Sequence, residues 1–370
     1  EVANALPSGY ALHEYRIESV LGAGGFGLTY LATDSNLSLK VALKEYLPGE
    51  IALRSPDHSI VPTSEETAET FTWGKRRFLD ESRTLASFRH PNIVRVMRFF
   101  EANGSAYMVM EFVEGAPLSE WIKTRRPLPE AALAALARPL LEGLEVVHKS
   151  GYTHRDIKPG NIYVREDSTP VLLDFGSARM QASELTAVVS PGYAPFEQYH
   201  TQGRQGPWSD LYALAGVLYW MVIGSMPQEA PARIRADAMA PAVQAGDKSR
   251  FRPEFLAAID WGLTPFEDQR PQSVAEWRQA LLAGKPVEPR TQKIEKAVQP
   301  ARLPADVLKR AEQRLAEYIG PVAGVVVKRA AAKARDEAEL YLLLADEIED
   351  KEEKKAFVRK AVSVSGKPRP

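Results

Sequence analysis

The residues best equipped for chemistry lie within one stretch of nineteen, 156–174. His154-Arg155-Asp156-Ile157-Lys158-Pro159-Gly160-Asn161 is followed, thirteen residues on, by Asp174-Phe175-Gly176. An Asp can receive or orient the proton of an attacking hydroxyl, and a Lys can offset charge on a moving phosphoryl. An Asn with a second Asp offers hard oxygens of the kind magnesium takes. Phosphoryl transfer asks for little else, because orientation and charge neutralisation do most of its catalysis. Any one of Asp156, Lys158, Asn161 and Asp174 could be a turn or cap residue. All four in this order are not explained that way.

A second set of groups lies near the start of the chain. Leu21-Gly22-Ala23-Gly24-Gly25-Phe26-Gly27 falls between two strand patterns. Glycines let backbone amides approach an anion closely, since no Cβ intervenes. Alone, this run fits a Gly-rich hairpin turn equally well. It joins two strands instead of opening a helix, which disfavours a dinucleotide-binding site. Lys44 follows seventeen residues after Gly27, in Val41-Ala42-Leu43-Lys44. Strand alternation puts Ala42 and Lys44 on one side, leaving room for a planar base beside a cation. An outward surface lysine is the competing reading. Glu81 is the carboxylate that could hold Lys44 in place, or else a solvated helix charge.

These groups need elements to position them. Strand-like runs cover 15–20, 27–32, 38–44, 94–101 and 106–112, with Asn103-Gly104 between the last two as a hairpin signal. One helix interrupts them, with Phe78, Leu79, Leu85 and Phe88 on its apolar side. Helical patterns then prevail, notably over 129–149, 209–224, 253–263 and 273–283. Pro139 falls inside the first of these, where it costs a backbone bond or kinks the helix. A strand-rich lobe followed by a helical one places a cleft at their junction, near 110–115. Residues 48–72 read as a polar insertion with Pro48, Pro56, Pro62 and the run Thr63-Ser64-Glu65-Glu66-Thr67.

Taken together, these motifs resemble the eukaryotic-like (Hanks-type) serine/threonine protein kinases of bacteria, over roughly 15–282. The resemblance implies an α+β, bilobal kinase fold. Its strand-rich lobe would span about 15–112, with an insertion at 48–71, and its helical lobe about 113–282. It implies that 21–29, including Thr29, covers the phosphates of ATP, and that Lys44, paired with Glu81, contacts the α- and β-phosphates. Glu111 and Val113 would offer backbone groups to adenine, with Met110 as gatekeeper. Asp156 would act on the substrate hydroxyl and Lys158 at the γ-phosphate, while Asn161 and Asp174 would bind Mg2+, or Mn2+ in its place. His154, Phe175, Leu85 and Val96 fall where the family stacks an apolar spine. Asp210 falls where a buried Asp anchors the catalytic loop, and Glu197 and Arg270 at a buried ion pair. Lys158 and Ser190 match the serine/threonine signature, so the acceptors would be Ser or Thr hydroxyls of proteins. Arg155 would receive an activation-loop phosphate, on Thr186 first and Ser183 second.

Three features depart from the pattern. Thr29 replaces the valine that packs on adenine, Pro195-Phe196-Glu197 replaces Ala-Pro-Glu, and Glu81 follows Lys44 by 37 residues, longer than the family's spacing. The insertion that lengthens this spacing reads either as a tolerated surface loop or as a loop that steers the helix of Glu81.

Composition narrows the remaining classes. Forty-seven Lys plus Arg against 48 Asp plus Glu leaves a net charge of −1, against a nucleic-acid or membrane-surface binder. The absence of cysteine excludes disulfide scaffolds, cysteine zinc sites and thiol catalysis, and suits a reducing, cytoplasmic setting. No apolar run is long enough to span a bilayer, and no signal peptide is evident. Residues 283–304, Pro-rich among Lys, Arg and Gln, read as a linker. Beyond it, 305–362 read as a small helical module, with Leu308, Ala311, Leu315, Tyr318 and Ile319 on one face and Leu340, Leu343, Leu344 and Ile348 on another. Phe357, Val358 and Ala361 suggest a last short helix. It is expected to serve self-association or partner docking. The alternative to an active kinase is a nucleotide-binding scaffold that recruits partners through this module.

Overall fold

The computed structural model describes residues 4–25, 27–173, 189–199, 204–285, 303–332, 334, 337–345, 347–348 and 357. They fall into two units, 1–230 with 238–287, and 231–237 with 288–370. The first opens with a six-stranded antiparallel sheet of order β1-β2-β3-β4-β8-β7. Its strands are β1 (Ala11–Leu12), β2 (Tyr15–Gly24), β3 (Gly27–Asp34), β4 (Leu39–Tyr46), β7 (Val96–Ala102) and β8 (Ser105–Glu111). Alternation is clearest in β3, where Leu28, Tyr30, Ala32 and Asp34 are buried and the residues between them are not. Asn103 and Gly104 both take positive φ, 50° and 70°, the two-residue turn that joins β7 to β8 with the twist a hairpin requires. Strand bounds differ from those predicted by at most four residues.

The polar insertion is not a plain loop. Residues 52–62 form the hairpin β5 (Ala52–Arg54) and β6 (Ile60–Pro62), with Ala52 and Ile60 buried beneath it. The run read as insertion polarity is the start of helix α1 (Glu65–Ser87). The Ser64 side chain accepts from the Thr67 amide, the Thr67 hydroxyl accepts from the Ser64 amide, and Glu65 and Glu66 favour the positive end of the helix. Phe71, Gly74, Phe78, Ser82 and Leu85, at spacings of three and four, turn one face of α1 inward. Tyr46 of β4 packs on Phe71 and Phe78, with ring centroids 5.4 and 5.8 Å apart.

Below the sheet, β9 (Ala116–Pro117), β10 (Ile162–Val164) and β11 (Pro170–Leu172) form a small antiparallel sheet. The helices are α2 (Leu118–Trp121), α3 (Glu130–Lys149), α4 (Pro207–Ile223), α6 (Ala242–Ala245), α7 (Pro253–Gly262) and α8 (Val274–Ala283), while α5 (Ala230–Arg235), after its first residue, falls in the residues grouped with the second unit. α3 continues through Pro139. α4 is apolar on nearly every side and buried accordingly, and it stops at Gly224, whose φ of 92° only glycine adopts without strain. Within α4, Asp210 is fully buried. Residues 92–94 stitch to β11: the amide of Val94 donates to Leu172 at 2.9 Å and the Asn92 side chain to Pro170 at 2.8 Å.

The second unit holds α9 (Ala305–Ile319), α10 (Ala323–Ala331) and α11 (Glu337–Ala345). Val307, Ala311, Leu315, Val326, Val327, Leu340 and Leu344 form its core, with Phe357 against Tyr318 and Tyr341. Val307 takes the buried position expected of Leu308, which is only partly covered together with Tyr318 and Ile319. Val325, Val326 and Val327 are buried, while Val358 and Ala361 lie outside the described residues. Among the described residues no helix is long and apolar enough to cross a membrane.

Candidate active site

A cavity of about 280 Å³ opens between the sheet and the helical half. Leu21, Gly22 and Thr29 of the β2–β3 hairpin form its roof, with Ala42 of β4. Met110, Glu111, Phe112 and Val113 line its back, and Gly160, Asn161, Tyr163 and Leu173 its floor. Ala42 is paired with Met110 across the sheet, so the smallest side chain of this wall faces the opening. Gly22 and Gly24 stand in open space, where a Cβ would meet nothing within 4 Å. Gly27 has a different reason to be glycine: a Cβ there would overlap the carbonyl oxygen of Glu45. Ala23, Gly24, Gly25 and Gly27 belong to the same hairpin without lining the cavity. Lys44 lies two residues past Ala42, in register with Thr29 and Met108, and Glu81 is half-buried on α1.

The catalytic-loop candidates meet at the rim. Asp156 receives the Ser190 hydroxyl on Oδ1 at 2.7 Å. Its Oδ2 meets the Lys158 Nζ at 2.9 Å and the Asn161 Nδ2 at 2.8 Å. Lys158 also donates to Ser190 at 3.1 Å. A carboxylate, a cation and a hydroxyl therefore close a triangle beside the cavity. The Asn161 amide nitrogen is spent on Asp156, which leaves its carbonyl oxygen as the acceptor a cation needs.

Burial sets the orientation of this loop. Asp210 accepts from the amides of His154 and Arg155, at 2.8 and 2.9 Å, and from His148 Nε2 at 2.7 Å. Burial alone would push the Asp210 carboxyl up, but the His148 hydrogen bond, nearby imidazoles and the Arg155 amide outweigh it and hold the group below its ordinary value. Arg155 sits at a φ of 70°, a conformation most residues avoid, and the bond from its amide to Asp210 helps keep it there. His154 is fully buried, accepting from the Asp156 amide on Nδ1 and donating from Nε2 to the Leu173 carbonyl. Leu85 and Val96 are buried as well.

Glu197 and Arg270 form a buried, two-pronged ion pair with contacts of 2.8 and 3.0 Å. Pro195 stays extended ahead of the short 3₁₀ turn that carries Glu197, so the altered tripeptide keeps the carboxylate in place. Phe26, Asp174, Phe175, Ser183 and Thr186 lie outside the described residues. The sequence reading missed Val94, Phe112, Gly160, Tyr163 and Leu173 as cavity residues, and His148 as a support of Asp210. Tyr163 and Leu173 flank Asn161 and Asp174 closely, and that adjacency was the available signal.

Comparison with known proteins agrees with this geometry. The protein kinase domain family matches residues 15–279, and a domain of unknown function (DUF8082) matches 306–369. The chain belongs to the protein kinase family. The relatives it matches carry the names of serine/threonine-protein kinases. It is 32% identical over 228 residues to serine/threonine-protein kinase pkn2 of Myxococcus xanthus, covering 59% of this chain and 25% of that protein. It is 32% identical over 232 residues to serine/threonine-protein kinase PknA of Nostoc sp., covering 59% and 38%. The chain thus spans a quarter to two fifths of the length of these relatives. The solved structure of PpkA-294 in its apo form matches with a TM-score of 0.67 and 39% identity, over 75% of this chain and all of that one. Rad53 1–466 in complex with AMP-PNP matches with a TM-score of 0.55 and 21% identity, which bears on the fold alone.

Proposed function

We propose that the protein transfers the γ-phosphoryl group of ATP to serine and threonine hydroxyls of other proteins, and to its own. The triangle of Asp156, Lys158 and Ser190 carries this reading. A carboxylate that already accepts a serine hydroxyl at 2.7 Å, beside a lysine, is arranged to take a substrate hydroxyl in the same way. On this reading adenine lies between Ala42 and Leu173, against Met110, Glu111 and Val113, and the glycines of the β2–β3 hairpin give their amides to the phosphates. Lys44, held by Glu81, contacts the α- and β-phosphates. Asp156 orients the acceptor hydroxyl and takes its proton, and Lys158 offsets the charge of the moving phosphoryl. Asn161 and Asp174 would hold Mg2+, whose contribution when bound is to neutralise phosphate charge. The side-chain carbonyl oxygen of Asn161, whose amide nitrogen serves Asp156, suits that ion. The cysteine-free composition fits a cytoplasmic location, and the helical module 305–362 is proposed to dock partners or a second copy.

Incubation with γ-labelled ATP and magnesium, followed by phosphoamino-acid analysis and peptide mapping, tests the reading. Label is expected on serine and threonine, with Thr186 or Ser183 among the modified positions. Nucleotide binding with no transfer to any protein acceptor would favour a scaffold instead.

A further inference from the structure

Glu45, fully inaccessible and next in sequence to Lys44, is a buried carboxylate that the proposed mechanism leaves unused. A carboxylate in that position must be neutralised and hydrogen-bonded, or it becomes a large penalty. Three groups converge on it. Tyr107 donates to Oε1 at 2.5 Å, Tyr30 donates to Oε2 at 2.8 Å, and Arg54 Nη2 meets Oε2 at 2.5 Å. Burial and the Glu45 charge push both phenols well up, so they stay protonated and serve as donors. Arg54 is itself almost wholly buried, with its side chain 5% exposed.

Arg54 comes from the hairpin inserted between β4 and α1. Its other nitrogens are engaged too: Nε donates to the Asn4 carbonyl and Nη1 to the His58 carbonyl, both at 2.8 Å. One guanidinium thus ties the insertion, the N-terminal segment and the C-terminal end of β4 together. The fixed fork geometry of arginine permits this, whereas a lysine point charge could satisfy only part of it. Strand alternation sends Glu45 to the sheet face opposite Lys44, so any influence on Lys44 passes through the β4 backbone. The following residue, Tyr46, packs on Phe71 and Phe78 of the helix that bears Glu81.

We propose that Arg54 is a positioning residue for nucleotide binding: by neutralising Glu45 from the inserted hairpin, it fixes the stretch of β4 that presents Lys44. This rests on the proposed kinase reading, and makes the insertion part of the machinery where a neutral surface loop would have no such role. Substitution Arg54→Met leaves Glu45 buried and uncompensated. Away from the melting range, the KM for ATP should rise about tenfold while kcat changes much less, with a matching loss of MgADP affinity. Adding Glu45→Gln removes the charge that required a cation but keeps an amide for both tyrosines. The double variant should recover ATP KM to within about threefold of wild type.

The test is a steady-state and nucleotide-binding comparison of wild type, Arg54→Met, Glu45→Gln and the double variant on the full chain. An active wild type with an unchanged ATP KM in Arg54→Met overturns the proposal. So does a folded double variant that recovers nothing, since packing rather than charge would then be the cause. If Arg54→Met does not fold, the double variant decides alone: regained fold with near-normal ATP affinity supports the proposal, and failure to regain them overturns it. An inactive wild type would count against the kinase reading, while the MgADP affinities would still judge Arg54.

Discussion

Replacing Asp156 by Asn should lower the phosphoryl-transfer rate by about 10²–10⁴-fold while leaving nucleotide affinity close to that of wild type. The substitution is nearly isosteric, and the groups around the carboxylate remain. Ser190, Lys158 and Asn161 all approach Asp156 within 2.7–2.9 Å or share its contacts, so the loop has several other bonds to keep its shape. Asp210 holds the His154 and Arg155 amides from below, independently of position 156. What is lost is the anionic acceptor for the hydroxyl proton. Asn can accept hydrogen bonds from Lys158 and Asn161 through its oxygen, but it cannot take the proton. Initial rates with a protein acceptor, together with titration of a fluorescent nucleotide, separate the two quantities. A rate within tenfold of wild type would remove Asp156 from the chemistry.

The largest stability effect is expected at Arg270. All five of its N–H groups have acceptors: Glu197 at 2.8 and 3.0 Å, the carbonyls of Thr264 and Pro265 at 2.7 Å, and more loosely that of Trp208. Its guanidinium also lies over the Tyr212 ring, 4.7 Å from the centroid. Arg270→Ala leaves Glu197 buried with, among the described residues, Ser209 as its remaining strong donor, at 2.7 Å. Removing one partner of such a pair costs about 3–5 kcal/mol, because the other charge stays desolvated. The exposed pair Lys123–Glu120, with side chains 64% and 58% accessible, is the control. Lys123→Ala should change stability by less than about 0.5 kcal/mol, since solvent screens such pairs. Urea midpoints of the two variants make the comparison. Equal, small changes would mean that the Glu197–Arg270 pair is not the structural tie its burial implies.

Much of the site was legible from residue order. Asp156, Lys158 and Asn161 could be read because few roles other than phosphoryl transfer need those groups at that spacing, and they meet at the cavity rim. Asp210, Glu197 and Arg270 followed from the family likeness, and their burial accounts for it. The hairpin and helix start within the insertion were not legible, for a physical reason. The polarity of that stretch comes from a capping box and from Arg54, whose charge is consumed inside the protein, and a linear sequence does not show that a charge is neutralised by Glu45. The Ser64-x-x-Thr67 spacing could have marked the helix start. Gly27 carries a second requirement that residue order does not show, since a Cβ there would overlap the Glu45 carbonyl oxygen of β4. Tyr163 and Leu173 were hidden because three-residue strands are too short to read: Tyr163 is the half-buried middle residue of β10, and Leu173 directly follows β11.

The central claim is that the cavity roofed by Leu21, Gly22 and Ala42 and the triangle at Asp156 form one nucleotide-using centre. A crystal structure of the protein soaked or grown with a non-hydrolysable ATP analogue and magnesium tests it directly. The account predicts adenine between Ala42 and Leu173, with the terminal phosphate beside Lys158 and the Asn161 and Asp174 oxygens sharing one metal ion. Nucleotide bound elsewhere, or Asn161 and Asp174 too far apart to share that ion in the loaded protein, would contradict it.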